Sequence, residues 1–183
     1  MTALNSILIL LVAFLAVFCE AAFTGTRAWF GAQVDLLPAL MVCAALDAGI
    51  NGVVLLALAG GLMFDSLSAN PLGATVLPLF AVGFPIYLRR ELILRDQIFA
   101  QFVLGFAASA AAPALTLLLL FTAGHSPLFG WASLWQWLVM SLGGALATPV
   151  LFFLFDWLRR VFGYKPVVES SFRPDREIRR GRS

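Results

Sequence analysis

Charge is scarce in this sequence. Asp, Glu, Lys and Arg make up 12% of its 183 residues, about half the share usual in soluble domains. That excludes a water-soluble body of ordinary composition and leaves no room for a separate soluble domain. Histidine occurs once, at His125, and cysteine twice, at Cys19 and Cys43. Both cysteines lie in apolar runs far from the histidine, so no metal-ligand spacing exists; they read as buried thiols acting as small hydrophobes. No glycine-rich phosphate loop occurs. His125 sits in a Gly-His-Ser-Pro loop with no second titratable group near it in sequence, so a nucleophile and base pair is missing. A non-enzymatic protein without a cofactor, a metal or a nucleic-acid partner is the expectation. The N-terminus lacks the basic residues of a signal-peptide leader. The bulky Phe18 before Cys19 argues against lipoprotein processing, so residues 4–23 are expected to be a retained span.

Apolar residues are abundant instead, at 61% of the chain, with a mean hydropathy of +0.94. The fold class that follows is an all-α integral membrane protein. Residues 4–23 supply about 20 apolar positions, enough for one crossing. Apolar runs follow at residues 36–46, 53–64, 72–88, 98–121 and 134–158. Residues 36–64 as one helix would reach about 43 Å, well past a hydrocarbon core of about 30 Å. Asp47, Gly49, Asn51 and Gly52 fall at its middle, where a charge is most costly. A hairpin of two short helices is therefore expected, giving a six-helix transmembrane bundle; five crossings is the alternative. The domain division is a transmembrane body over residues 1–163 and a tail over 164–183. That tail carries six basic and three acidic residues, a composition that predicts disorder and attraction to anionic membrane lipid.

Basic residues orient the chain. Arg89, Arg90 and Arg95 form one group, and eight more lie between Arg159 and Arg182. Two spans separate the groups, so both fall on one side, which the positive-inside rule makes cytoplasmic. Six crossings then place the N-terminus there as well. Trp131, Trp135 and Trp137 suit an outer aromatic belt, and Trp157 an inner one. Gly105, Ser109 and Pro113 recur at steps of four, and Gly143, Gly144 and Ala147 form a second small-residue stripe. Such stripes permit close helix contact in lipid, either within this bundle or with a partner's helix. Asp35 and Asp47 sit where helices should begin, as N-caps would.

The stretch richest in information covers residues 60–73, Gly-Gly-Leu-Met-Phe-Asp-Ser-Leu-Ser-Ala-Asn-Pro-Leu-Gly. Gly60 and Gly61 allow another backbone to come close. Asp65 is a lone acid near membrane depth, which must face protein or water. Ser66, Ser68, Asn70, Pro71 and Gly73 are turn formers. A helix end with a polar cap, re-aiming the chain between two spans, is expected.

With those residues placed, the chain resembles the rod shape-determining MreD family. The likeness rests on Gly60 through Asp65 followed by Ser66 to Gly73, on Asp35-Leu-Leu-Pro38 upstream, on the run from Gly52 to Gly60, and on the span ending at Arg89-Arg90. It covers roughly residues 30–95. Pro78, Pro85 and the longer basic tail depart from the family pattern. The resemblance implies a scaffold subunit of the bacterial lateral-wall synthesis machinery in the inner membrane. It implies association with MreC, and through it with MreB, RodA and a class B penicillin-binding protein. It also implies a six-helix fold like the substrate-binding subunits of energy-coupling-factor vitamin transporters. Such a transporter subunit is the alternative function, with Glu20 or Asp65 as ligands in a polar pocket. Its expected alanines four apart on the first helix are missing among Ala13, Ala16, Ala21 and Ala22. A small intramembrane enzyme acting on lipid through His125 is a third reading.

Overall fold

The computed structural model describes residues 3–22, 31–68, 71–93, 97–124 and 130–161. Every regular element among them is an α-helix: α1 Ala3–Ala22, α2 Leu37–Asp47, α3 Gly49–Leu67, α4 Val76–Leu88, α5 Ile98–Thr122 and α6 Trp131–Val161. Asn70, His125 and the basic tail lie outside the described residues.

α2 is the axis of the molecule. It touches each of the other five helices, and Leu37 through Ala45 are all buried. Its sequence, Leu-Pro-Ala-Leu-Met-Val-Cys-Ala-Ala-Leu-Asp, has no polar stripe, so apolar neighbours can cover every face of it. Pro38 sits in its first turn, where the missing N–H has no intrahelical partner anyway. Eleven residues give about 16 Å, so α2 falls short of the bilayer core.

The expected hairpin is present, with boundaries that differ from the apolar pattern. Ala48 alone separates α2 from α3, and its N–H donates to the Ala44 carbonyl at 2.9 Å. Gly49 takes φ +71°, the left-handed conformation that reverses the chain at little cost only for glycine. The reversal falls within the expected break over residues 47–51 but is narrower, since Ile50 and Asn51 already lie in the first turn of α3. Asp47 closes α2 rather than capping α3. The two helices run back along each other: a Cβ placed on Gly60 would come 3.1 Å from Leu37, and one on Gly83 would meet both Met41 and Val53. Gly49→Ala should cost about 1 kcal/mol for the left-handed backbone, lowering Tm by about 2–4 °C in a thermal melt of the detergent-solubilised protein.

α1 lies on α3 and α2. Ile9, Val12, Ala13, Ala16 and Val17 are buried, whereas Ile7, Leu11, Phe14, Leu15 and Phe18 are exposed. The buried set follows the i, i+3, i+4, i+7, i+8 spacing of one helix face. α4 is shorter than its apolar run because residues 72–75 are held in turns, with Ala74 N–H on the Pro71 carbonyl and Val76 N–H on that of Gly73. Pro78 falls in its first turn, where proline is tolerated; Pro85 lies inside the helix.

α5 and α6 form the most extensive helix pair. The two small-residue stripes meet here. A Cβ on Gly105 would stand 2.1 Å from Thr148 Oγ1, and one on Gly144 would stand 1.7 Å from Ser109 Oγ. Gly143 faces Val34 instead. These glycines and Ser109 therefore serve contacts within the chain. α3, α5 and residues Trp131–Leu158 of α6 are long and apolar enough to cross a membrane. The protein is a helical membrane protein. Large apolar side chains cover its outside, Leu58, Phe106, Leu146 and Phe153 among them.

Candidate functional site

One end of the bundle gathers the polar groups singled out in the sequence. The last turns of α1, α3 and α5 and the first turns of α2, α4 and α6 lie there. Asp65 lies in the last turn of α3, not beyond the helix, and is only 2% exposed. Its carboxylate organises the chain that follows. Oδ2 accepts the N–H of Gly73 at 2.9 Å and that of Thr75 at 3.0 Å; Oδ1 accepts the Thr75 hydroxyl. One acid thus holds three donors eight to ten residues downstream, which fixes where α4 starts. Gly73 takes φ +91°, a backbone that lets its N–H and that of Thr75 turn toward one carboxylate. Hydrogen bonds to a charged acceptor are the stronger kind, and burial removes water as a competitor.

The remaining residues of the stretch divide by what they touch. A Cβ on Gly60 would press on Leu37 and Leu56, and one on Gly61 would lie 3.0 Å from the backbone of Val76. The diglycine therefore admits α2 on one side and the start of α4 on the other. Ser66 and Ser68 donate hydroxyls back to the carbonyls of Met63 and Asp65, a local closure of the helix end. Pro71 is exposed.

Asp35 belongs to the same end. It is 8% exposed, and its Oδ1 accepts the Leu37 N–H at 2.8 Å. Glu20, from the last turn of α1, accepts the N–H of Leu36 through Oε1. Two acids thus take successive amides at the start of α2, where the helix dipole favours negative charge. Glu20 Oε2 is buried and has no hydrogen-bond partner among the described residues. Gln33 and Gln136 tie this segment to α6: Gln33 N–H donates to Gln136 Oε1, and Gln136 Nε2 donates to the Gln33 carbonyl.

A cavity of about 490 Å³ opens beside Asp35 and Thr75, between the facing sides of α5 and α6. Trp137, expected in an aromatic belt, is 42% exposed and lines this cavity. Its indole N–H donates to the Ala110 carbonyl. Sequence reasoning missed Thr75, Gln33 and Gln136. Thr75 carried a signal, as a hydroxyl two residues past a glycine in an otherwise apolar span. The glutamines carried none, since their partners lie 103 residues away in the chain. No group of three or more metal-binding side chains occurs among the described residues. No protein-family model matches the chain, and no curated protein or solved structure matches it either.

Proposed function

We propose that this chain is a non-enzymatic scaffold subunit of the bacterial cell-elongation machinery, seated in the cytoplasmic membrane and binding MreC. The identity of the partner rests on the likeness of residues 30–95 to the MreD family. The observation that carries the scaffold reading is the occupation of Asp65. Both its oxygens accept donors from its own chain, so the most distinctive acid of the sequence acts as a brace. A braced bundle with an apolar exterior offers neighbouring helices a stiff surface, and close packing is what drives helix association in lipid. Six helices of alternating direction, of which α2 is too short to cross the hydrocarbon core by itself, with Arg89, Arg90 and Arg160 at the cytoplasmic end, complete the proposed topology. The acidic end then faces outward, with MreB, RodA and a class B penicillin-binding protein reached through MreC.

The test is co-expression with tagged MreC, with a photo-crosslinking residue placed singly at exposed Leu11 of α1, Phe84 of α4 and Leu146 of α6. The expected result is co-purification, with crosslinks confined to one helix face. A well-folded chain that neither co-purifies nor crosslinks overturns the reading.

A further inference from the structure

The cavity between α5 and α6 has two unlike ends. Toward the helix termini it is bounded by Gly31, Asp35, Thr75, Ser133 and Gln136. Deeper in, Ala112, Pro113 and Leu117 of α5 and Met140 of α6 line it, while Leu120 and Phe64, in the last turns of α5 and α3, stand at the level of the polar groups. The α5 positions 113, 116, 117 and 120 fall on one helix face and extend about 10 Å along the helix axis. At about 490 Å³ the space is within the range of small-ligand sites. Gly31 and Ala132 are exposed at its edge.

The charge of the polar end selects the ligand. None of the described lining residues is Lys, Arg or His. Asp35 is more than nine-tenths buried, and Glu20 lies behind it with Oε2 buried and unbonded among the described residues. With no basic side chain against them among the described residues, these buried acids are costly. A ligand that brings a positive hydrogen-bond donor relieves that cost, and an anionic one increases it. The apolar length of the cavity, flanked by exposed Leu118, Leu134 and Leu138, points to a molecule arriving from the lipid phase. We propose that the cavity binds an amine-headed phospholipid, its ammonium group against Asp35 and one acyl chain running down between α5 and α6. The wall-synthesis reading is not needed for this site.

The test uses the full chain in detergent and native mass spectrometry with phosphatidylethanolamine or phosphatidylglycerol of matched acyl chains. One retained phosphatidylethanolamine per protein is expected, with phosphatidylglycerol held about tenfold more weakly, the equivalent of about 1.4 kcal/mol. Asp35→Asn keeps an amide oxygen to accept the Leu37 N–H, so α2 stays capped, and it should reduce the preference to near parity. Ala132→Trp, at the exposed edge, should reduce retention of both lipids. A circular dichroism melt of each variant separates loss of binding from loss of fold. Equal retention of the two lipids by the wild-type chain, or an undiminished preference in folded Asp35→Asn, overturns the proposal.

Discussion

Gly144→Ala should lower the Tm of the detergent-solubilised protein by about 6–12 °C, a loss of about 3 kcal/mol. One added methyl has this effect because of where the helices cross. The new Cβ would lie 1.7 Å from Ser109 Oγ and 2.4 Å from Ser109 Cβ. The hydroxyl has room to turn aside; the β-carbon does not, because it is fixed to the α5 backbone. α5 and α6 must then separate, and the Gly105 contact with Thr148 opens with them. The partner substitution sets the control. Ser109→Gly removes both clashing atoms, including a hydroxyl that is buried without a hydrogen-bond partner among the described residues. It costs about 0.5 kcal/mol of helix propensity. The double variant Gly144→Ala/Ser109→Gly should regain more than half of the lost Tm. A coupling of that sign belongs to residues in contact. Strict additivity would mean that the crossing does not limit stability.

The legibility of the fold followed the physics of each signal. The extent of α1 could be read because its apolar run is long enough for one crossing, and the bounds of α5 because charged residues and a turn flank it. The hairpin followed from length and from Asp47 at mid-stretch, since residues 36–64 are too many for one crossing and a charge is most costly at its centre. Its turn lies inside the expected break. Asp47 and Asn51 looked like breakers, yet the reversal needs only the single left-handed Gly49. The central position of α2 had no signature. In lipid the outward side chains are as apolar as the core, so composition does not separate a buried helix from a peripheral one. The polar end was half legible. Asp65 stood out as a costly charge, and Asp35 as an acid before a helix. What each holds depends on backbone amides, which carry no sequence mark. The cavity draws on residues from Gly31 to Met140, and only the folded chain brings them together.

Asp65→Ala should destabilise the protein by about 3–5 kcal/mol, with damage concentrated at the α3–α4 joint. Three donors lose their acceptor at once: the amides of Gly73 and Thr75 and the Thr75 hydroxyl. Thr75 is 5% exposed, so water does not replace the lost bonds without entering the bundle, and a buried unsatisfied donor costs about 1–3 kcal/mol. Asp65→Asn retains one carbonyl oxygen but turns an N–H₂ toward other donors, and should recover less than half of the loss. Thr75→Val removes one bond of the three while keeping the shape, and should cost about 1–2 kcal/mol. Hydrogen exchange followed by mass spectrometry reads the location. Amides of residues 71–79 should lose protection in Asp65→Ala, while those of α5 and α6 keep theirs. The same variant separates a brace from a contact. If Asp65 acts by holding α4 in place, capture of MreC should fall in step with stability across Ala, Asn and the Thr75→Val chain, whose carboxylate is intact. Capture lost in Asp65→Asn but kept in an equally unstable Gly61→Ala chain would instead make the carboxylate itself the surface that the partner touches.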